Sequence, residues 1–176
     1  MPEELREQVP LMKEVLTAMH ITLVEKGGYE ADDIIGTISR MAERDGYATV
    51  IVSGDRDLLQ LATDTILVRI PKTKATGTTI ENYYAKDVVE AYGVTPVQFI
   101  DMKGLMGDTA DNIPGVPGIG EKTATALIAQ YGSIENCYAH VDEIKPPRAS
   151  KNLKENYELA QMSKTLATID IHADID

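Results

Sequence analysis

The chain has 176 residues, enough for one domain or a core with a small appendage, and it shows neither a signal peptide nor the roughly 18-residue apolar run of a membrane span. Its only cysteine, Cys137, excludes an internal disulfide bond and is typical of the reducing cytoplasm. With 17 basic and 28 acidic side chains the net charge is −11, which argues against nucleic-acid binding unless the acids are gathered in one place and bind cations.

Helices and short apolar strands alternate in the first half of the chain. In chain order, the pattern predicts helices at 3–19 and 31–45, a strand at 48–52, a short helix at 57–62, a strand at 66–70 and an exposed loop or hairpin at 72–79. Pro10 is expected to kink or split the first helix, and Pro71 to close the second strand. This order of elements indicates an α/β layer.

From Lys86 onward the pattern becomes helical. The predicted helices cover 86–92, 96–106, 121–131, 133–140 and about 150–167. Because the composition shifts near Tyr92-Gly93, we expect a boundary there, between an α/β domain at 1–92 and a helical region at 93–176.

Three short acidic segments are the candidates for a functional site. Tyr29–Asp33 opens a predicted helix, Ser53–Asp57 follows a buried strand, and Gly107–Asn112 follows a helix. The ends of strands are where α/β proteins place ligands, so a shared site would use these positions. The acidic residues of the three segments are Glu30, Asp32, Asp33, Asp55, Asp57, Asp108 and Asp111.

Each segment also has an ordinary structural interpretation. Acids near a helix N-terminus are favoured by the helix dipole, Asp55 would serve as a helix cap, and Asp108 and Asp111 would serve as turn formers. If the segments converge instead, their carboxylates repel one another at neutral pH unless cations neutralise them. Oxygen ligands select Mg²⁺ or Mn²⁺ rather than zinc, and two such ions would serve phosphodiester hydrolysis.

The glycine-rich segment Asn112–Ala124 carries the most specific signal. Its glycines let the backbone turn tightly, and the helix that follows exposes amide groups to an anion. The spacing excludes both a Walker loop and a dinucleotide fingerprint. It predicts a helix–hairpin–helix at about 105–130 that holds a DNA backbone without reading bases, the alternative being a plain connection between helices. The residues expected to contact DNA are Gly115, Gly118, Gly120, Lys122 and Thr123.

Together these segments resemble the 5′-nuclease family, which includes the 5′-nuclease domain of bacterial DNA polymerase I, phage 5′ exonucleases and flap endonucleases. The resemblance is carried by Tyr29–Gly36, Ser53–Leu61 and Met106–Ala124, and it extends over about residues 2–175. It implies a PIN-like (Rossmann-like) α/β core followed by a helical helix–three-turn–helix DNA-binding region. It also implies a structure-specific 5′→3′ exonuclease or flap endonuclease, working by two metal ions in DNA replication and repair.

The resemblance also implies roles for individual residues. All seven acids named above fall in the family's metal site, some bound through water, with Asp32, Asp33, Asp55 and Asp57 as the catalytic set. The glycine turn would bind a monovalent cation, usually K⁺, through backbone carbonyls beside Val116 and Ile119, while Lys122 would contact phosphate. The implied partners are DNA with a 5′ flap or branch and a polymerase domain of the same parent chain.

The sequence departs from the family pattern at its start. In the family, two strands that each end in Asp, and a basic Tyr-Lys-x-x-Arg segment, precede the helix with which this chain opens. We therefore expect an N-terminally truncated core with weak or no hydrolysis by this chain alone. We also expect self-association through the sheet edge left at 48–52.

Two other functions compete with the nuclease. A catalytically impaired, non-catalytic DNA-binding fragment would keep the glycine turn, and only a measurement of activity separates it from the nuclease. A receiver-like or phosphatase α/β domain would also carry acidic strand ends. That domain predicts an Asp on an early strand and a Lys on a late one, and it leaves Pro114–Gly120 unexplained.

Overall fold

A computed structural model of the protein describes residues 3–74 and 77–175. Its first part contains helices α1 (Glu3–Ala18) and α2 (Ala31–Arg44) and strands β1 (Thr49–Val52), β2 (Ile66–Lys74) and β3 (Gly77–Tyr83), with a 3₁₀ turn at Asp57–Leu61 between β1 and β2. The strands form one sheet in the order β1-β2-β3. The predicted α/β layer is therefore confirmed. In the segment predicted as a loop or hairpin at 72–79, the residues up to 74 and from 77 belong to paired strands, and residues 75–76 lie outside the described residues.

The sheet mixes parallel and antiparallel pairing. β1 and β2 run parallel, with Val52 opposite Arg69, and β2 and β3 run antiparallel, with Pro71 opposite Ile80. The prediction that Pro71 closes β2 was wrong. β1 has already ended where Pro71 lies, so β2 there has one neighbouring strand instead of two, and a proline is tolerated on such an edge.

The first helix lies on the surface. None of its residues is buried, and it continues through Pro10 without being split. Because α1 is solvent-exposed, water can satisfy the carbonyl group that loses its helical hydrogen bond to the proline.

The second part is helical. Its helices are α3 (Ala85–Tyr92), α4 (Pro96–Met106), α5 (Glu121–Tyr131), α6 (Ile134–Ala139), α7 (Pro147–Glu155) and α8 (Tyr157–Ala167), with a 3₁₀ turn at Val141–Glu143. The single helix predicted at about 150–167 was wrong, because Asn156 leaves the helical backbone region at φ −132° and ψ 33°. Its side-chain amide donates to the Asn152 carbonyl at 2.7 Å, and α7 and α8 meet at this break.

Helix α4 is the centre of the helical part. It begins with a capping box in which Thr95 Oγ1 accepts from the Gln98 amide and Gln98 Oε1 accepts from the Thr95 amide. The helix packs against α5, α8 and the 3₁₀ turn at Asp57–Leu61, so most of its surface is buried. As a consequence, the two charged residues in its middle, Asp101 and Lys103, are buried as well. In the part of the chain that the structure describes, no helix is both long and apolar enough to cross a membrane.

Candidate metal centre and nucleic-acid interface

The predicted acidic segments meet in one open cleft. The cleft has a volume of about 590 Å³ and lies between the start of α2, the end of β1 and the chain that follows α8. Six of the seven predicted acids line it, namely Glu30, Asp32, Asp33, Asp55, Asp57 and Asp111. The seventh, Asp108, lines an adjoining pocket that shares Asp55, Asp57 and Asp111 with the cleft.

Three of these carboxylates are close enough to share an ion. Asp57, Asp108 and Asp111 each offer an oxygen within 4.8 Å of the others. Asp57 begins the 3₁₀ turn after β1, whereas Asp108 and Asp111 lie in the loop after α4. That loop is closed by a pair of backbone hydrogen bonds of 2.8 Å between Asp108 and Ile113. Since all three donors are carboxylate oxygens, the set fits a hard divalent cation.

A buried lysine lies against this triad. The Lys103 ammonium is 2.7 Å from Asp57 Oδ1 and also forms a close ion pair with Asp108 Oδ2, and its side chain is 9% exposed. Hydrogen bonds from Lys103 lower the pKa of Asp108. Burial nevertheless raises the pKa of Asp57, against the opposing effect of Lys103. The lysine therefore neutralises only part of the negative charge at this point.

The carboxyl group of Asp32, at the start of α2, has a strongly raised pKa. Burial, followed by repulsion from Asp55 and Asp57, raises the pKa of Asp32 to about 6. Asp55 accepts a 2.8 Å hydrogen bond from the Asp57 amide through Oδ1, and this orders the turn between them. Because repulsion from neighbouring carboxylates adds to the effect of burial on Asp32, a cation bound among these acids would be favoured.

Asp33 and Glu30 have local structural bonds at the start of the same helix. Asp33 Oδ2 accepts from the Glu30 amide at 3.2 Å, as in a helix N-terminal box, while Oδ1 accepts from the Asp170 amide at 2.9 Å. Asp33 thus links the start of α2 to the segment after α8. Both carboxylate oxygens of Asp33 already accept hydrogen bonds from backbone amides, whereas the Asp32 carboxylate is repelled by the other acids of the cleft.

The glycine turn is built against α4 and α8. Gly115 has φ +61°, and a Cβ atom there would lie 2.3 Å from the Gly107 nitrogen, so only glycine fits. Its amide donates to the hydroxyl oxygen of the fully buried Ser163 at 3.0 Å. Val116 N–H donates to the Leu105 carbonyl at 2.7 Å. The turn is therefore held in place by the same helix that carries Lys103.

The remaining predicted residues of the turn fall into two groups. Gly118 needs its φ of +78°, and a Cβ there would meet the Asn152 amide, which itself donates to the Pro117 carbonyl at 2.8 Å. Gly120, by contrast, has an extended φ of −92° with open space at its Cβ position, so the expectation of a conformational need there was wrong. Lys122 is exposed in the first turn of α5, and Thr123 is half-buried.

The two residues predicted to lie beside a monovalent cation, Val116 and Ile119, have buried side chains. The side chains of Val116 and Ile119 are buried in the core, at 2% and 3% exposure. The Val116 carbonyl accepts a 3.0 Å hydrogen bond from the Ile119 amide, which closes the turn. A carbonyl oxygen has a second lone pair, so this bond leaves it able to face a cation.

Lys103 and Ser163 are site residues that the sequence reasoning missed. The available signal for Lys103 was a lysine in a largely apolar helix, five residues before Asp108. Ser163 carried no signal, since its partner lies 48 residues away in the sequence.

The fold and the cleft define the class of protein. A small α/β core with acids at a strand end, joined to helices that carry a glycine turn, is the PIN-like architecture expected above. A family model described as the 5′-3′ exonuclease, N-terminal resolvase-like domain matches residues 1–93, and a second, the 5′-3′ exonuclease, C-terminal SAM fold, matches residues 94–176. The chain belongs to the 5′-3′ exonuclease family, which sets aside the receiver-like or phosphatase alternative.

Relatives and solved structures agree with this membership. DNA polymerase I of Bacillus caldotenax is 50% identical over 175 residues, covering 99% of this chain and 20% of the polymerase. The chain thus spans about a fifth of the length of the curated relatives it matches. A 5′-exonuclease of bacteriophage T5, solved with bound divalent metal ions (zinc), is 25% identical with a TM-score of 0.76, over 97% of this chain and 63% of that one. The catalytic core of Rad2, solved with a DNA substrate, is 16% identical with a TM-score of 0.62, over 99% of this chain and 57% of that one, and shows the shared fold alone.

Proposed function

We propose that this chain supplies the metal centre and DNA-holding turn of a structure-specific 5′ nuclease, which hydrolyses DNA phosphodiesters as a 5′→3′ exonuclease or flap endonuclease. The observation that carries the proposal is the grouping of Asp57, Asp108 and Asp111, whose carboxylate oxygens lie within 4.8 Å of one another. Family membership and the bounds of its two models support it, and they also support a division near residues 92–93.

The acids of the cleft would hold two divalent ions, Mg²⁺ or Mn²⁺. Such ions, when bound, supply Lewis-acid stabilisation of the charge that develops on phosphate oxygens. Asp57, Asp108 and Asp111 would form one group of ligands, and the other acids that line the cleft would add to it, namely Glu30, Asp32 and Asp55. The raised pKa of Asp32 supports this assignment, because repulsion among unneutralised carboxylates is its second cause after burial. Asp33 would position the start of α2 and bind metal only through water.

The glycine turn and the start of α5 would hold the duplex beside the cleft. Backbone amides at the start of α5, together with Lys122 and Thr123, are suited to phosphate oxygens, which are contacted regardless of base sequence. Backbone carbonyls beside Val116 and Ile119 would hold K⁺ between the turn and the DNA. The bond between Gly115 and Ser163 keeps the turn rigid against the body of the protein.

A cleavage assay tests the proposal. A duplex with a labelled 5′ flap is incubated with this chain and Mg²⁺ or Mn²⁺, and the lengths of the products are measured. Cleavage near the flap junction that requires the metal and is lost in Asp55→Asn supports a nuclease. Cleavage that survives this substitution, or that proceeds in a chelator, contradicts the assigned site.

A second candidate is a DNA-binding fragment with little hydrolysis. The observation that favours it is the position of Lys103, which already pairs with two of the three triad carboxylates. It predicts salt-sensitive binding of the flap duplex with no metal-dependent products. Robust turnover by the purified chain would exclude this candidate.

The exposed edge of the sheet at β1 is a candidate surface for self-association. Among the described residues, β1 pairs with β2 alone, and Val50 and Val52 are 52% and 63% exposed, so we propose self-association through this edge. Sedimentation that shows only monomer at micromolar concentrations would contradict that idea.

The polymerase relatives support the proposal that the parent chain carries a polymerase domain. The single buried cysteine, Cys137, supports the proposal that the protein is located in the cytoplasm.

A further inference from the structure

The Lys103 ammonium lies beside the position that a cation bound to the triad would take. Its ammonium contacts Asp57 Oδ1 at 2.7 Å and Asp108 Oδ2. Both of these residues belong to the group whose oxygens lie within 4.8 Å of one another. A divalent ion bound by Asp57 and Asp108 would therefore be a close neighbour of the lysine, and two positive charges would share the same oxygens.

The Lys103 side chain has little freedom to move away from Asp57 and Asp108. It projects from the middle of α4, a helix buried by α5, α8 and the 3₁₀ turn, and its side chain is 9% exposed. The residue as a whole is 7% exposed. A lysine this deeply buried is tolerated only when it is paired, so the ion pairs with Asp57 and Asp108 fix the position of its ammonium group.

We infer that Lys103 is an internal counter-cation that holds Asp57 and Asp108 together before metal arrives and weakens the binding of a divalent ion to the triad. Without it, the two carboxylates, which come from different elements, would repel each other in the metal-free protein. With it, an entering ion must share its ligands with a fixed positive charge. Lys103 is thus a positioning residue that sets metal affinity, and this inference rests on the proposed metal site.

The test compares Mn²⁺ affinity in three proteins by calorimetry, with Mn²⁺ alone as the probe. Lys103→Met removes the charge and keeps the apolar length of the side chain. Lys164→Met is the matched control, because Lys164 also lies between two carboxylates, Asp101 and Glu135, but outside the acidic cleft. We expect Lys103→Met to bind Mn²⁺ about tenfold more tightly than the unchanged protein, and Lys164→Met to bind it equally well.

Thermal unfolding gives the second readout. Metal-free Lys103→Met should unfold at a lower temperature than the unchanged protein, and saturating Mn²⁺ should raise that temperature more in the variant. If Lys103 only joined two elements of the fold, Lys103→Met would lower the unfolding temperature without tightening Mn²⁺ binding. Should Lys103→Met be unfolded without metal, Lys103→Gln, which keeps a hydrogen-bond donor, takes its place.

The outcomes separate the inference from the function on which it rests. Unchanged or weaker Mn²⁺ binding in Lys103→Met overturns the role of Lys103. If the unchanged protein and Asp57→Asn bind Mn²⁺ with the same affinity, the metal site itself is wrong, and the inference fails with it. Tighter binding in Lys103→Met alone establishes both.

Discussion

Two clusters that each include a residue of α4 have the same chemistry and opposite character. In each, a lysine lies between two carboxylates: Lys103 between Asp57 and Asp108, and Lys164 between Asp101 and Glu135. Asp101 and Lys103 are two residues apart on α4, so both clusters depend on the same buried helix. They differ in how completely the charges and hydrogen bonds are satisfied.

The Lys164 cluster is closed. Asp101 Oδ1 accepts from Lys164 at 2.7 Å and from the Ile134 amide at 3.0 Å. Although burial acts to raise it, the pKa of Glu135 is lowered to about 2 by hydrogen bonds from Lys164, its own amide and Gln161. Both carboxylates there are paired with Lys164, so the cluster joins α4, α6 and α8 and needs no further ion.

The Lys103 cluster is open. Its lysine faces Asp57 and Asp108, while Asp111, Asp55 and Asp32 add negative charge in the same cleft and its adjoining pocket. The pKa of Asp32 rises to about 6 where that of Glu135 falls to about 2. The difference is in the surroundings: Asp32 lies near other carboxylates, whereas Glu135 accepts hydrogen bonds from Lys164 and Gln161.

The largest effect is expected on stability, from the closed cluster. Asp101→Ala leaves Lys164 without its buried partner and the Ile134 amide without an acceptor, so the free energy of unfolding should fall by about 3 kcal/mol. Chemical denaturation followed by circular dichroism measures this loss. Glu135→Gln is the control and should lose less than about 1 kcal/mol, because the Glu135 side chain is 50% exposed. Equal losses in the two variants would break the distinction between a buried and an exposed partner.

The next effect concerns DNA binding by the glycine turn. Lys122→Ala should weaken binding of a flap duplex several-fold and lower the salt dependence by about one unit of slope, the value of one phosphate contact. Lys86→Ala is a matched control, because Lys86 is also an exposed second residue of a helix, α3. Fluorescence anisotropy at several salt concentrations measures both slopes. A slope that changes equally in the two variants would mean that the turn has no special part in binding.

The smallest effect is a pH dependence from the open cluster. Because the folded pKa of Asp32 is about 6 and its ordinary value is 3.8, the folded protein keeps a proton there that the unfolded chain has lost. The ionisation of Asp32 therefore costs stability as the pH rises through about 4 to 6, and most of that cost is still absent at pH 4. Metal-free Asp32→Asn should be nearly as stable as the unchanged protein at pH 4 and about 1 kcal/mol more stable at pH 7.5, after discounting for solvent screening. Thermal scans at both pH values check this, and an equal difference at the two would contradict it.

The sequence predicted the parts of the site whose signal is local. The seven acids lie at element ends, and the glycines of the turn follow one another closely, so their grouping could be inferred from position alone. The structure brings these acids to one cleft and one adjoining pocket.

The features that sequence reasoning missed depend on contacts between distant segments. Lys103 meets Asp57 only because α4 packs on the 3₁₀ turn, and Ser163 reaches Gly115 only because α8 crosses the turn. The buried residues on either side of Asn156, Leu153 in α7 and Ala160 in α8, are seven residues apart and keep a helical spacing, so periodicity does not reveal the break. Pro71 was misjudged because its tolerance depends on how far β1 extends beside β2.

Titration of Mn²⁺ into three proteins tests most directly the claim that the open cluster binds metal and the closed one does not. Asp57→Asn removes a carboxylate from the open cluster, and Asp101→Asn removes one from the closed cluster while keeping a hydrogen-bond acceptor. We expect Asp57→Asn to weaken Mn²⁺ binding by roughly 10- to 100-fold and Asp101→Asn to leave the affinity unchanged. Equal affinity in all three proteins, or a loss confined to Asp101→Asn, would contradict this expectation.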